Sequence, residues 1–119
     1  MKKVYITSLW ARKILDGEKQ LETSSFSLPD RYKNIDLHIQ TETGFVIGIL
    51  RFYASFKFVS ETHFNNFYDQ HLVNGDSPFH FINRNKSTHG WWIDRVKRIS
   101  PKMARPFKSQ FRLEGVPVK

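Results

Sequence analysis

The stretch LWARKILDGEKQLET, Leu9 to Thr23, joins a helical pattern to an extended one through a single glycine. Trp10, Ile14 and Leu15 are spaced to share one face of an α-helix, which predicts a short amphipathic helix with that face buried. Gly17 is expected to end the helix, because glycine readily adopts the left-handed backbone conformation that follows a helix C-terminus. The chain then continues as an extended segment.

Lys19 and Glu22 lie just beyond this helix exit, three positions apart. A lysine in a cleft can bind a phosphate or, when desolvated, lose its proton, and a nearby carboxylate can act as a base. Residues three apart in an extended segment point to opposite faces, so the two share a site only if the turn at Gly17 continues through Gln20. The alternative is a solvated surface pair worth at most about 1 kcal/mol.

Alternating patterns elsewhere predict strands. KKVYITS predicts a first strand, after which Thr7 or Ser8 can cap the helix. IDLHIQ and the apolar run FVIGILRFYA, joined by TETG, predict a hairpin whose second strand is deeply buried. WWIDRVKRI and FKSQFRL predict two late strands, and FHFINR predicts a short extended piece before them.

A second helix is predicted after Ser60, a favourable N-cap residue, with Gly75 and Pro78 ending it. The residues at the spacing of one buried helical face are Phe64, Phe67, Tyr68, His71 and Leu72. Short strands in mixed order, with two helices and no repeating βαβ unit, favour an α+β fold. We expect a small mixed or antiparallel β-barrel with two or three short helices packed outside, forming a single domain over residues 1–119.

The composition excludes several classes of protein. The absence of cysteine excludes disulfides, zinc ribbons and thiol nucleophiles. No run approaches the roughly 18 apolar residues that span a bilayer, so a soluble cytoplasmic protein without membrane contact is expected. No cofactor and no metal site are expected, because the histidines lack zinc-ligand spacing, and His71 is expected to be a satisfied core residue. The five histidines are His38, His63, His71, His80 and His89.

The net charge of +8 lies wholly in the last third of the chain. Residues 84–119 hold ten of the 19 Lys and Arg residues and two of the 11 Asp and Glu residues. Such a one-sided positive field attracts polyanions, and neutralising the phosphates of a nucleic acid is its commonest use. The alternative is a basic surface that serves solubility alone.

The stretch DRVKRISPKMARPFK carries basic side chains that are expected to track a phosphate backbone. Alternation places Arg95 and Lys97 on one face of a strand and Arg98 on the other, before a proline-bounded basic loop with Lys102 and Arg105.

Trp91 and Trp92 are adjacent, so a strand directs one of them into the core and the other outward. The outward tryptophan is the better candidate to stack on a base, as aromatic side chains do for single-stranded nucleic acids. Core packing is favoured for the inward one and for Trp10.

The order of these features resembles the ASCH domain family, which belongs to the PUA-like β-barrels. WWIDRVKRISP (Trp91 to Pro101) and FKSQFRL resemble the family's closing strands, and the resemblance covers nearly the full length. Family members commonly carry an arginine two places after the motif glutamate, where this chain has Ser24. That arginine is a bidentate clamp for phosphate or carboxylate, and Arg31, Arg95 and Arg98 are the candidates to replace it. The matching residues at the front are Trp10, Ile14, Leu15, Gly17, Lys19 and Glu22.

The resemblance implies a barrel with a cleft beside the first helix that accepts RNA or a modified nucleoside. A bacterial branch that is similar to this chain hydrolyses acetylcytidine with a lysine, a threonine and a glutamate. Lys19 matches that lysine, but the threonine position holds Glu22 and the later glutamate has no counterpart around residues 68–76. Other members that resemble this chain have been linked to ribonuclease activity.

The sequence therefore favours a nucleic-acid-binding module, above all for RNA, with a cleft formed by the first helix exit and the basic late strands. One alternative is a small hydrolase acting on a modified nucleoside or RNA, with Lys19 and Glu22 as catalytic residues. Another is a protein-interaction module for an acidic partner. Whether the chain is an enzyme, and its oligomeric state, stay open. The expected nucleic-acid contacts are Lys19, Arg31, Trp91, Trp92, Arg95, Lys97, Arg98, Lys102 and Arg105.

Overall fold

A computed structural model describes residues 1–84, 86–105 and 111–117, without the side chains of Phe111 and Pro117. The helices are α1 (Ser8–Leu15), α2 (Glu61–Asn66) and α3 (Tyr68–His71), with 3₁₀ turns at Asp30–Tyr32 and Phe81–Asn83. The strands are β1 (Lys3–Tyr5), β2 (Leu21–Ser24), β3 (Asp36–Gln40), β4 (Phe45–Lys57), β5 (His89–Met103), β6 (Phe111–Leu113) and β7 (Val116–Pro117).

The strands form one mixed sheet in the spatial order β2-β5-β4-β3-β1-β6-β7. β1 and β3 pair in parallel, and the other described strand pairs are antiparallel. Bulges along the β4–β5 ladder bend the two longest strands, and the sheet curls into a half-barrel with short helices outside it. The predicted α+β barrel-like class is therefore confirmed.

The β3–β4 hairpin and the long β5 show where the strand predictions hold and where they fall short. The hairpin turns at Gly44, whose φ of 86° suits glycine, as the TETG pattern predicted. β5 runs on through Pro101 to Met103, so Lys102 lies on a strand and not in the predicted basic loop. Pro101 lies where β5 extends beyond its register with β2 and where its register with β4 shifts, and proline is tolerated at such edge and bulge positions.

The start of α1 is held from another part of the chain. Thr7 occupies the cap position without a side-chain cap hydrogen bond. Instead, the backbone N–H of Ser8 donates to both carboxylate oxygens of Glu42, at 2.9 and 3.1 Å. This carboxylate satisfies a free N–H of the first turn and complements the helix dipole.

The single helix predicted after Ser60 is divided into α2 and α3 at Phe67, whose φ of −102° and ψ of 17° interrupt the helix. Ser60 is the predicted N-cap, since its Oγ accepts a 3.0 Å hydrogen bond from the His63 N–H. Leu72, with φ of 62°, ends α3 before Gly75 is reached. FHFINR is wrongly predicted as extended, because the His80 side chain accepts from the Ile82 N–H and caps a 3₁₀ turn.

Two hydrophobic clusters fill the interior. The first joins α1 to the sheet and contains Trp91, while the second contains Phe58 and Phe64. Trp10 is partly exposed and packs against both clusters. No helix in the described parts of the chain has the length and apolar character needed to cross a membrane.

Candidate functional site

The exit from α1 directs Lys19 and Glu22 toward each other. Gly17 has a φ of 81°, and the backbone N–H of Lys19 still donates to the Lys13 carbonyl at 3.0 Å, so the turn continues past the helix end. Gln20 is then held by backbone hydrogen bonds to α3 and β5. As a result the Lys19 Nζ lies 3.7 Å from Glu22 Oε1, and the condition for a shared site is met.

Lys19 is almost completely buried, with 2% of its surface exposed. Its Nζ donates to the backbone carbonyl of His71 and lies 4.5 Å from the centroid of the Trp10 ring. Burial lowers the pKa of Lys19 to about 8, against the opposing effect of the Glu22 carboxylate. At pH 7 the ammonium form therefore dominates, with a neutral fraction of roughly a tenth.

Glu22 connects β2, at one edge of the curled sheet, with β6, near the other edge. Its Oε1 accepts a 3.1 Å hydrogen bond from the Thr23 N–H, and its Oε2 lies 2.6 Å from an Nη of Arg112. Arg112 also donates to the Thr23 carbonyl at 3.3 Å. Because Arg112 lies on β6 and Glu22 on β2, these contacts connect strands that are far apart in the sheet order.

Arg84 approaches the same strand from the segment after the second 3₁₀ turn. One Nη donates to Thr23 Oγ1 at 3.2 Å, and Nε donates to the Phe79 carbonyl at 2.9 Å. Burial, together with the charge of Arg112, lowers the pKa of Arg84 to about 10. We refer to Lys19, Glu22, Arg84 and Arg112 as the buried charge cluster, which brings three cations to one carboxylate.

Arg84 and Arg112 are the site residues that sequence reasoning missed. The proposed replacements for the absent arginine lie elsewhere: Arg31 stacks on the Tyr32 ring at 5.1 Å, Arg98 pairs with Asp16, and Arg95 is exposed on β5. Their predicted role beside Glu22 is corrected. Arg84 and Arg112 were visible in the sequence only as members of the basic last third, because nothing local links them to Thr23. 

A cleft of about 720 Å³ lies beside α1, between that helix and the segment after α3. No residue of the basic late strands that the structure describes lines it, so the predicted composition of the cleft is corrected. The reason is that the first half of β5 is paired with β2, while its basic second half extends past that pairing. The lining residues are Leu9, Trp10, Lys13, Glu18, Tyr68, Leu72, Asn74, Asp76 and Ser77.

Several predicted basic contacts form a different surface. Lys3, His38, Ile49 and Lys97 are register partners in one row across β1, β3, β4 and β5, and Arg51 and Arg95 are partners in the next. Cross-strand partners share a face of the sheet, and this face is partly or fully exposed. Burial and the charges of the N-terminus, Lys102 and Lys3 lower the pKa of His38. We define the outer basic face as Lys3, His38, Arg51, Arg95 and Lys97. Lys102 is exposed but is the register partner of the buried Val46, beyond a register shift in the β4–β5 ladder, and is not part of this face.

The other predicted basic contacts lie outside this face. Arg98 is exposed and pairs with Asp16 at the end of α1. Arg31 lies on the first 3₁₀ turn, and Arg105 is exposed just after β5. Lys19 is buried in the charge cluster and has almost no accessible surface.

The two tryptophans differ in burial as the strand pattern predicted, but Trp92 packs against the second hydrophobic cluster. Trp91 is fully buried, donates from Nε1 to the Phe26 carbonyl at 3.0 Å and packs edge-on against Phe52. It has no free ring face, so its predicted contact with nucleic acid is corrected. Trp92 is half-buried and packs against Phe56 and Phe67, with centroid distances of 6.0 and 5.8 Å.

His71 is the satisfied core residue that the helix pattern predicted. Its Nε2 donates to the Phe64 carbonyl at 2.8 Å, and its Nδ1 accepts from the Val73 N–H at 2.8 Å. Burial lowers its pKa to about 4, so the ring is neutral at physiological pH. Among the residues described, no group of three or more His, Asp or Glu side chains is placed to hold a metal ion.

The curled mixed sheet with α1 packed against it is similar in fold to solved ASCH proteins. The ASCH protein of Zymomonas mobilis is similar at a TM-score of 0.70 and 14% identity, covering 87% of this chain and 72% of that one. Its serine-to-alanine and tyrosine-to-phenylalanine variants give the same TM-score at 14% and 13% identity. Each covers 86% of this chain, and the shares of their own chains are 72% and 74%. No protein-family model matches the sequence, and a search of curated proteins finds no match.

Proposed function

We propose that this ASCH-type domain is a nucleic-acid-binding module, with RNA as the favoured ligand. The observation that carries the proposal is the outer basic face, on which Lys3, Arg51, Arg95 and Lys97 come from three strands of one sheet, β1, β4 and β5. Neighbouring strands lie about 4.8 Å apart, so the row from β1 to β5 spans about 14 Å, enough to contact more than one phosphate. RNA is favoured over DNA by the resemblance to the ASCH family.

Charge balance on the outer basic face supports a polyanion. Asp36 is the acidic residue in the row of register partners that contains Arg51 and Arg95, and it pairs with Arg51 at 3.0 Å. The remaining cations make no ion pair within the described residues. Unpaired lysines and arginines on a sheet face are free to replace the counterions of a phosphate backbone.

The second candidate function is hydrolysis of a modified nucleoside or of RNA, with Lys19 and Glu22 as catalytic residues. It is favoured by the lowered pKa of Lys19 and by the carboxylate 3.7 Å away, an arrangement suited to proton transfer. Its weakness is access, because both side chains are at most 5% exposed. Binding is therefore the better-supported function. An acidic protein partner is a third candidate for the same outer basic face.

A gel-shift titration with single-stranded RNA, duplex RNA and DNA at increasing salt tests the proposal. We expect affinity to fall steeply with salt, and each of Arg95→Gln and Lys97→Gln to reduce the slope by about 1. Arg12→Gln, an exposed arginine on α1 that lies off this face, is the matched control and should leave the slope unchanged. Salt-independent binding, or equal effects of all three substitutions, would refute the assignment.

The same lanes separate the alternatives. Cleavage products in the wild-type lanes that disappear with Lys19→Met, in a variant that keeps the wild-type circular dichroism spectrum, would favour the hydrolase. Displacement of RNA by polyglutamate at equal charge concentration would favour an acidic protein partner.

A further inference from the structure

We propose that Arg84 and Arg112 form an anion site for a single phosphate group, centred on Thr23. This inference deepens the proposed function, on which it rests for the identity of the ligand, because it names a phosphate-binding site away from the outer basic face.

The two guanidinium groups converge on one residue. Arg84 reaches Thr23 Oγ1 at 3.2 Å, and Arg112 reaches the Thr23 carbonyl at 3.3 Å. Two like charges this close repel each other, and the pKa of Arg84 is lowered to about 10 by burial and by Arg112. A bound anion between them would remove that repulsion.

The described residues do not balance the charges of the cluster. Glu22 pairs with Arg112 at 2.6 Å and with Lys19 at 3.7 Å, while Arg84 has no ion pair among the described residues. Among the described residues the cluster thus has a positive excess, which an anionic ligand would balance.

The hydrogen-bonding capacity of the arginines points to a tetrahedral oxyanion. Within the part of the chain that the structure describes, Arg112 Nε is buried and has no acceptor, and Arg84 uses Nε and one Nη for protein contacts. Planar guanidinium forks match phosphate oxygens, whereas a lysine acts as a point charge. A ligand can also reach Arg112 more easily than Lys19, because the Arg112 side chain is 24% exposed and Lys19 is 2% exposed.

Ser24 is the last residue of β2, a strand without arginine, so both guanidinium groups come from other elements. It stands two positions after Glu22 and is buried on β2, so the strand itself offers no guanidinium there. Arg84 comes from the segment before β5 and Arg112 from β6, and both meet β2 at the neighbouring Thr23. The same end of β2 is thereby supplied with arginine from two other parts of the chain.

Isothermal titration calorimetry with inorganic phosphate, a nucleoside 5′-monophosphate and the matching nucleoside tests the site. We expect both phosphates to bind and the nucleoside not to. Arg84→Gln should weaken phosphate binding about tenfold or more, the effect of losing a charge-assisted hydrogen bond. Arg112→Gln should have a similar effect, and Glu22 keeps its pairing with Lys19 in that variant. Arg12→Gln is the control, and thermal melts monitored by circular dichroism show whether each variant is folded.

Each outcome bears on the proposal. Tighter binding of the monophosphate than of inorganic phosphate supports a nucleotide ligand, and equal affinities support the anion site while assigning it to free phosphate. Wild-type protein that binds RNA in a salt-dependent manner but not these phosphates would overturn the anion site and leave the proposed function standing. Phosphate affinity that is unchanged in a folded Arg84→Gln variant would also overturn it.

Discussion

Replacing Glu22 with glutamine is expected to destabilise the protein by about 3 kcal/mol. Glutamine keeps the shape of the side chain but removes the negative charge that faces Lys19 at 3.7 Å and Arg112 at 2.6 Å. Breaking a buried ion pair by removing one partner costs about 3–5 kcal/mol, because the other charge is left uncompensated. The lower end of this range applies here, since 24% of the Arg112 side chain is exposed and water can solvate part of its charge.

Equilibrium unfolding in urea at neutral pH measures this loss, provided that the dependence on denaturant is the same in both proteins. Glu18→Gln is the matched control: it removes an exposed carboxylate from the same segment and should change the free energy of unfolding by less than about 0.5 kcal/mol. In the double variant Glu22→Gln with Arg112→Gln, the two losses should not add, because the residues are in contact. A loss below about 1 kcal/mol for Glu22→Gln would refute the reasoning, since that is the value of a solvated pair.

Three further predictions concern stability. Between pH 8 and about 9.5 the free energy of unfolding should rise by up to about 1.4 kcal/mol per pH unit. The reason is that Lys19 keeps its proton until about pH 10.5 in the unfolded state but loses it near pH 8 in the folded state. Urea unfolding of the wild type at several pH values measures this rise, and Lys19→Met should lack it. As the pH falls from 6.5 toward 4, the free energy of unfolding should decrease, because burial holds the folded pKa of His71 at about 4 and the unfolded state binds the proton first. In the same assay His71→Asn should show a smaller decrease. Gly48→Ala should cost about 1–3 kcal/mol, because its Cβ would lie 2.7 Å from Leu15 Cδ2, whereas Gly75→Ala meets no atom within 4 Å and should be nearly neutral in thermal melts.

Local features of the sequence predicted the frame of the site. Gly17 marks the helix exit because its backbone conformation is a local requirement. The helical spacing before it predicted the burial of Ile14 and Leu15, and the alternation in KKVYITS predicted β1. The extended β5 was harder to predict, because Pro101 indicates a break in most strands. It lies here beyond the register with β2 and at a register shift against β4, both of which depend on the tertiary fold.

The partners of Glu22 were not predictable in this way. Arg84 and Arg112 lie 61 and 89 positions from Thr23, and no local pattern encodes which basic residue of the last third reaches β2. Likewise, the division of the basic residues between the outer basic face and the buried charge cluster depends on how the sheet curls. Those pairings are properties of the tertiary fold.

The most direct measurement of the buried charge cluster is the titration of Lys19, followed by NMR through its side-chain carbon resonances from about pH 6 to 12. A midpoint of about 8 is expected in the wild-type protein, and a lower one in Glu22→Gln, because the carboxylate raises the pKa of the lysine. A midpoint near 10.5, unaffected by Glu22→Gln, would contradict the burial of Lys19 and its coupling to Glu22.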